Sequence, residues 1–262
     1  MANAANAANP ANAANPARTG RGGAMPTGVV EGFLPSTRGF RFANRFPPGP
    51  TVRLGPFDSR RLGIGDAAAG LCGGMVLTAR DLFEAGVAVP PDDVPPANGS
   101  PRFVALVRRQ VQSLDWLRVP LRYFDLQAFR PDPPTPWSRR LGRLPARVRS
   151  IELEWPRIRA DIDAGRLPIV GLVRVSGMSP VALVQNHQVL AYGYDDQPDE
   201  LRVRVYDPNH PGRDDVVLRA TFRRDAGLPP ERRIALAQST GEPVVGFLRQ
   251  PYPDPDTVAA WR

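Results

Sequence analysis

The chain has 262 residues, 42% of them hydrophobic, which is enough to bury one substantial core and excludes wholesale disorder. No run approaches the roughly 18 apolar residues of a membrane span, and the N-terminus lacks the basic start and apolar stretch of a secretion signal. The expectation is therefore a soluble chain without a membrane partner, cytoplasmic or exported by a route that needs no signal peptide; the 24 glycines and 31 prolines predict many loops. The formal charge of +8 comes entirely from arginine, since the chain has no lysine. Abundant Ala, Gly and Pro beside that arginine fit a GC-biased coding sequence as well as they fit phosphate binding, so nucleic acid is not the expected partner. One basic stretch, Arg139, Arg140, Arg143, Arg147 and Arg149, reads foremost as a solvated or packing face, with nucleic acid and an acidic partner as the alternatives.

In chain order, residues 1–24 are an Ala/Asn/Pro-rich stretch with almost no large apolar side chain, and the composition predicts a disordered tail. A single domain is expected over 25–262. Val29, Val30, Phe33 and Leu34 supply its first apolar cluster. Residues 39–46 alternate aromatic and polar positions before Pro47-Pro48, the pattern of a short strand or extended arm. From Cys72 to about Gly86, apolar residues at 72, 75, 76, 79, 82 and 83 form the stripe of a helix, with Gly86 as its stop. A second helix is predicted from Pro101 to Trp116. The proline-rich, arginine-rich segment at about 130–149 reads as a loop or surface excursion. A third helix starts at Ser150 or Trp155 and ends near Ala164, with Gly165 as its cap.

Sheet residues follow. The apolar run Leu167–Val175 reads as a buried strand. The segments 187–194 and 201–207, joined by the polar turn 195–200, form a hairpin signal. Further strands at about 215–219 and 243–248 extend an antiparallel sheet. Helices first and sheet second makes the class α+β.

The chemistry gathers at three residues. Cys72 is the only cysteine, so no disulfide forms within the chain, and with two histidines neither a four-cysteine zinc site nor one of two cysteines and two histidines can be built. Its place at a helix N-terminus favours the thiolate. Gly73 and Gly74 make a poor helix start, each costing up to about 1 kcal/mol against Ala, which close approach by a backbone or a ligand would explain. If the hairpin turn centres near Gln197, residues summing to about 394 face each other, so His187 lies opposite Asp207, and a one-residue slip would part them. A thiol, an imidazole and a carboxylate make the set of an activated nucleophile. Asn209 is the other candidate for the third position, but it falls beyond Pro208, so Asp207 is preferred. His210 sits in a turn and reads as structural.

The order Cys72, His187, Asp207, with Gly70-Leu-Cys-Gly-Gly-Met75, His187-Gln-Val-Leu-Ala-Tyr-Gly-Tyr194 and Val205-Tyr-Asp-Pro-Asn209, resembles the papain-like cysteine peptidases, more narrowly a bacterial group similar to the bacteriocin-processing peptidases. The resemblance spans roughly 63–218. It implies a helical part carrying Cys72 packed on an antiparallel sheet carrying His187 and Asp207. It also implies a hydrolase or acyltransferase that needs no cofactor and acts on a peptide or protein substrate. The group commonly has Gln six residues before the cysteine to bind the oxyanion. Here Asp66 stands there, either in place of that donor or as a cap or loop residue, and losing one such donor costs about 10²–10³ in rate. Gln185 and Asn186 carry amides that could substitute. The alternative is a catalytically silent papain-like domain acting as a protein-binding module.

Overall fold

A computed structural model describes residues 26–47, 70–115, 118–131, 134–225, 227–256 and 258–262. The tail expected over 1–24 and the residue Asp66 lie outside the described residues, as does Trp116. Architecture is α+β, with helices packed on an antiparallel sheet that curls. Strand β1 (Thr27–Val29) and helix α1 (Pro35–Arg38) open the described chain. Helices α2 (Cys72–Glu84), α3 (Pro101–Ser113) and α4 (Arg118–Ala128) follow, then the short α5 (Pro136–Arg140) and α6 (Ala146–Arg149). A π turn, Ser150–Glu154, leads into α7 (Trp155–Asp163). The sheet is built from β2 (Ile169–Val173), β3 (His187–Asp196), β4 (Glu200–Tyr206), β5 (Val217–Phe222), β6 (Ile234–Gln238) and β7 (Gly246–Arg249), with α8 (Pro230–Arg233) leading into β6.

The strand order is β6-β5-β4-β3-β2-β7, with β1 also paired to β3 and every pairing antiparallel. Because α6 contacts both β6 and β7, the two ends of this order approach a common helix, which is the sense in which the sheet curls. The main core lies where α2 packs against α3 and β3: Met75, Val76, Leu77 and Leu82 of α2 meet Leu106, Val189 and Ala191, all fully or almost fully buried. A smaller cluster of Val119, Tyr123, Leu126, Val173 and Leu248 sits under α4. Among the described residues, no helix is long and apolar enough to cross a membrane.

Several expectations are corrected. Residues 39–46 form no strand; Phe40, Phe42 and Phe46 are buried from irregular backbone, stacking with one another and with Trp261 and Phe103. The excursion at 130–149 contains α5 and α6; α6 docks on β6 and β7 and buries Ala146 and Val148, while Ser138 is buried in α5 and bonded to Thr135. The second helix stops at Ser113, and Asp115 turns the chain with a positive φ of 41°. The later strands begin at Val217 and Gly246.

Hairpin register also differs. Gln197 and Glu200 close the turn, so the pairs next to it are Asp196↔Leu201 through Gly193↔Arg204. An irregularity between Ala191 and Gly193 then shifts the pairing to Ala191↔Val205 and Leu190↔Tyr206. Continued without that irregularity, the register near the turn would set Asp207 opposite Leu190, on the face away from His187. The extra residue, Tyr192, changes the parity and returns Asp207 to the face of His187, as a β-bulge does.

Candidate active site

Cys72 is the first residue of α2, and groups from distant parts of the chain hold this helix start. No side chain caps it from Leu71; the Leu71 N–H instead donates to Asn44 Oδ1 at 2.6 Å, and the Gly74 N–H donates to Gln110 Oε1 at 2.9 Å. Asn44 Nδ2 donates in turn to Asn209 Oδ1 at 3.2 Å. The two glycines are explained by close packing. A Cβ on Gly74 would stand 2.2 Å from the Leu106 carbonyl oxygen of α3, and one on Gly73 would stand 2.2 Å from Ser113 Oγ and 2.7 Å from Gln188 Oε1. Glycine here lets α2 approach α3 and β3, which places the thiol against the first residue of β3.

The His187 ring and the backbone N–H groups of Gln188 and Gly73 stand beside the Cys72 thiol and favour its ionised form. Burial pushes the thiol up, but the charge of His187 and these donors outweigh it, so Cys72 lies below the ordinary thiol range. His187 Nε2 lies 2.7 Å from Asp207 Oδ1, which leaves Nδ1 as the nitrogen for the thiol. Burial favours neutral imidazole, but Asp207 and Cys72 together overcome this and push His187 up to about 10. Asp207 is completely buried; desolvation would raise it, yet His187, the Asn209 N–H at 2.8 Å and Gln238 Nε2 at 2.7 Å hold it well below the usual carboxylate range. His187 is buried, and Cys72 as a residue is intermediate in exposure.

Cys72, His187 and Asp207 are thus brought together. Asn209 is exposed and meets Asp207 through its backbone N–H, while its side chain holds Asn44. Gln185 is exposed at the end of the 3-10 turn Pro180–Gln185, and no contact joins it to the three residues. The neighbouring Asn186 amide is committed, accepting from the Arg174 N–H at 3.1 Å and facing Gln127 at 3.4 Å. His210 pairs with Glu242 at 2.7 Å, apart from His187.

Three surrounding residues escape the sequence reading. Tyr123 of α4 donates to the His187 carbonyl at 2.8 Å and is itself held by Gln250 at 2.8 Å. Gln238, the last residue of β6, braces Asp207, and Arg174, just past β2, braces Gln238 at 2.9 Å. All come from segments far apart in the chain, and a lone Gln or Arg in such a segment carries no local signal. Among the described residues, no group of three His, Cys, Asp or Glu side chains could hold a metal ion.

Comparisons with protein-family models, with curated proteins and with solved structures find no match.

Proposed function

We propose that this chain is a papain-like thiol hydrolase or acyltransferase acting on a peptide, isopeptide or related acyl substrate. The observation that carries the reading is the His187 ring held between Cys72 and Asp207, with a lowered thiol on one side and an ionised carboxylate on the other. The resemblance of the Cys72, His187 and Asp207 segments to papain-like peptidases supports the same assignment. In this mechanism ionised Sγ attacks the substrate carbonyl carbon, forming a C–S bond as the carbonyl electrons move to oxygen. The Cys72 backbone N–H helps hold that oxyanion. His187 gives its proton to the leaving amine as the C–N bond breaks, leaving an acyl-thioester. Water or an amine, deprotonated by His187, then attacks the thioester and expels the thiolate. Asp207 holds the imidazole in the required tautomer throughout.

A silent, protein-binding domain is the second reading, motivated by Asp66 at the position of the expected oxyanion donor and by the exposed Gln185. Mass spectrometry after mixing with an activated ester or a peptide thioester separates the two. Catalysis predicts an acyl adduct on Cys72 that turns over in the wild type and does not form in His187→Ala. A wild type whose thiol reacts with small electrophiles yet never carries an acyl group would support the silent domain.

A further inference from the structure

Arg174 is a buried arginine whose nearest carboxylate is that of Asp207. It lies just beyond β2 and is about 9% exposed. Its Nη2 donates to Gln238 Oε1 at 2.9 Å and lies 4.0 Å from Asp207 Oδ2, and its Nη1 donates to the Pro243 carbonyl at 3.3 Å. Gln238 is buried between the two and donates Nε2 to Asp207 Oδ2 at 2.7 Å. A guanidinium only donates and a carboxylate only accepts, so this amide has a single useful orientation, with oxygen toward Arg174 and nitrogen toward Asp207.

We infer that Arg174 is the fourth charge of the site, neutralising buried Asp207 through Gln238 and thereby holding the Cys72 thiol in its ionised, reactive form. This rests on the thiol–imidazole reading given above. Arg174, Gln238, Asp207 and His187 are all buried, so net charge among them is costly. With Arg174 and His187 cationic and Asp207 anionic, the cluster carries one net positive charge while the thiol keeps its proton, and becomes neutral when the proton leaves. Without Arg174 the neutral state is the one with the thiol protonated. A low-dielectric setting penalises net charge, so Arg174 biases the proton off sulfur. The other groups facing the cluster do not replace it. Tyr123 of α4 is neutral, its phenol pushed well above its ordinary value by burial and by Cys72; Tyr206 of β4 is likewise held neutral by burial, and the contacts from Asn209, Gln188 and Gly73 are backbone N–H groups. Arg174 touches no reacting atom, so its role is that of a positioning and charge-balancing residue.

The chain has one cysteine, so alkylation of the full chain by iodoacetamide, an uncharged probe, reads Cys72 alone. Arg174→Met keeps the apolar stem and removes the charge. Its alkylation profile is expected to move by about one pH unit toward higher pH, a loss of rate that approaches about tenfold on the acid limb below the wild-type midpoint, and Arg174→Lys to recover most of that loss. Gln238→Glu, which leaves the guanidinium in place and cancels its charge locally, is expected to shift the profile in the same direction, and it serves as the test if Arg174→Met does not fold. Folded variants with the wild-type acid limb would overturn the role of Arg174. If the wild-type limb is low and lost in His187→Ala while these variants leave it unmoved, only the inference about Arg174 falls. If the wild-type thiol titrates as an ordinary one, the thiol–imidazole reading and this inference fall together.

Discussion

Gly74→Ala is the substitution whose outcome is most tightly set by the geometry beneath the thiol. Gly74 has ordinary helical backbone and lies in the first turn of α2, so alanine gains about 1 kcal/mol in helix propensity. Against this, its methyl would stand 2.2 Å from the Leu106 carbonyl oxygen, 3.1 Å from the Leu106 carbonyl carbon and 3.2 Å from the Gln110 backbone nitrogen. Those atoms are backbone of a packed helix and cannot swing aside. Relief requires α2 and α3 to part by about an ångström, an overpacking cost of about 3 kcal/mol at the upper end of its usual range. The balance is a loss of about 2 kcal/mol, or about 4–8 °C in Tm for a domain of this size. Thermal unfolding followed by circular dichroism measures it. A Tm equal to or above that of the wild type would show that the helices do not cross this closely and that the glycines at the thiol have another cause.

Three further outcomes follow from the same geometry. Where an activity is measured, Asp207→Asn is expected to lower kcat by about 10⁴ by disturbing the His187 tautomer, while folded Asn209→Ala loses less than tenfold because its N–H is retained; the reverse ranking would assign the orienting role to Asn209. Arg109 and Asp81 form a buried pair at 2.8 Å, so Arg109→Met is expected to cost about 3–5 kcal/mol in urea unfolding, and Arg109→Met combined with Asp81→Leu to cost less than the sum of the single changes; additivity would refute the coupling. His187 is raised from 6.5 to about 10, so its ion pair contributes fully below about pH 6.5 and is lost as pH rises through about 10. The stability gap between wild type and His187→Gln is therefore expected to narrow from neutral to strongly alkaline pH, and a gap constant across that range would contradict the raised value.

Much of the frame was legible where local pattern and tertiary environment agree. The stripe from Cys72 and the stop at Gly86 define α2, which is buried on all sides from Gly73 to Leu82 and whose C-terminal end breaks at a positive φ of 65°. The hairpin was legible in outline, but its register was not: the turn lies at Gln197–Glu200, and the irregularity at Tyr192 is invisible in a run that is apolar on both faces. His187 meets Asp207 through two offsets that restore the parity assumed for a simpler hairpin. Residues 39–46 misled because alternating aromatics bury equally well from irregular chain. Helix α4 was missed, since its apolar face is short and its start follows a turn. Arg174, Gln238 and Tyr123 had no local signal, because their significance arises only when β2, β6 and α4 converge on the same carboxylate and imidazole.

The central claim is that His187 keeps the lone thiol ionised, and the rate of Cys72 carboxymethylation against pH, wild type beside His187→Ala, tests it most directly. An isolated thiol titrates near about 8.5 and is under about 1% ionised at pH 6. The wild type is predicted to react at close to its plateau rate by about neutral pH, with the acid limb well below 8.5, and His187→Ala to move that limb to about 8.5 or above, since burial then acts on the thiol unopposed. A wild-type limb at the ordinary thiol value, or a low limb that persists in folded His187→Ala, would contradict the account.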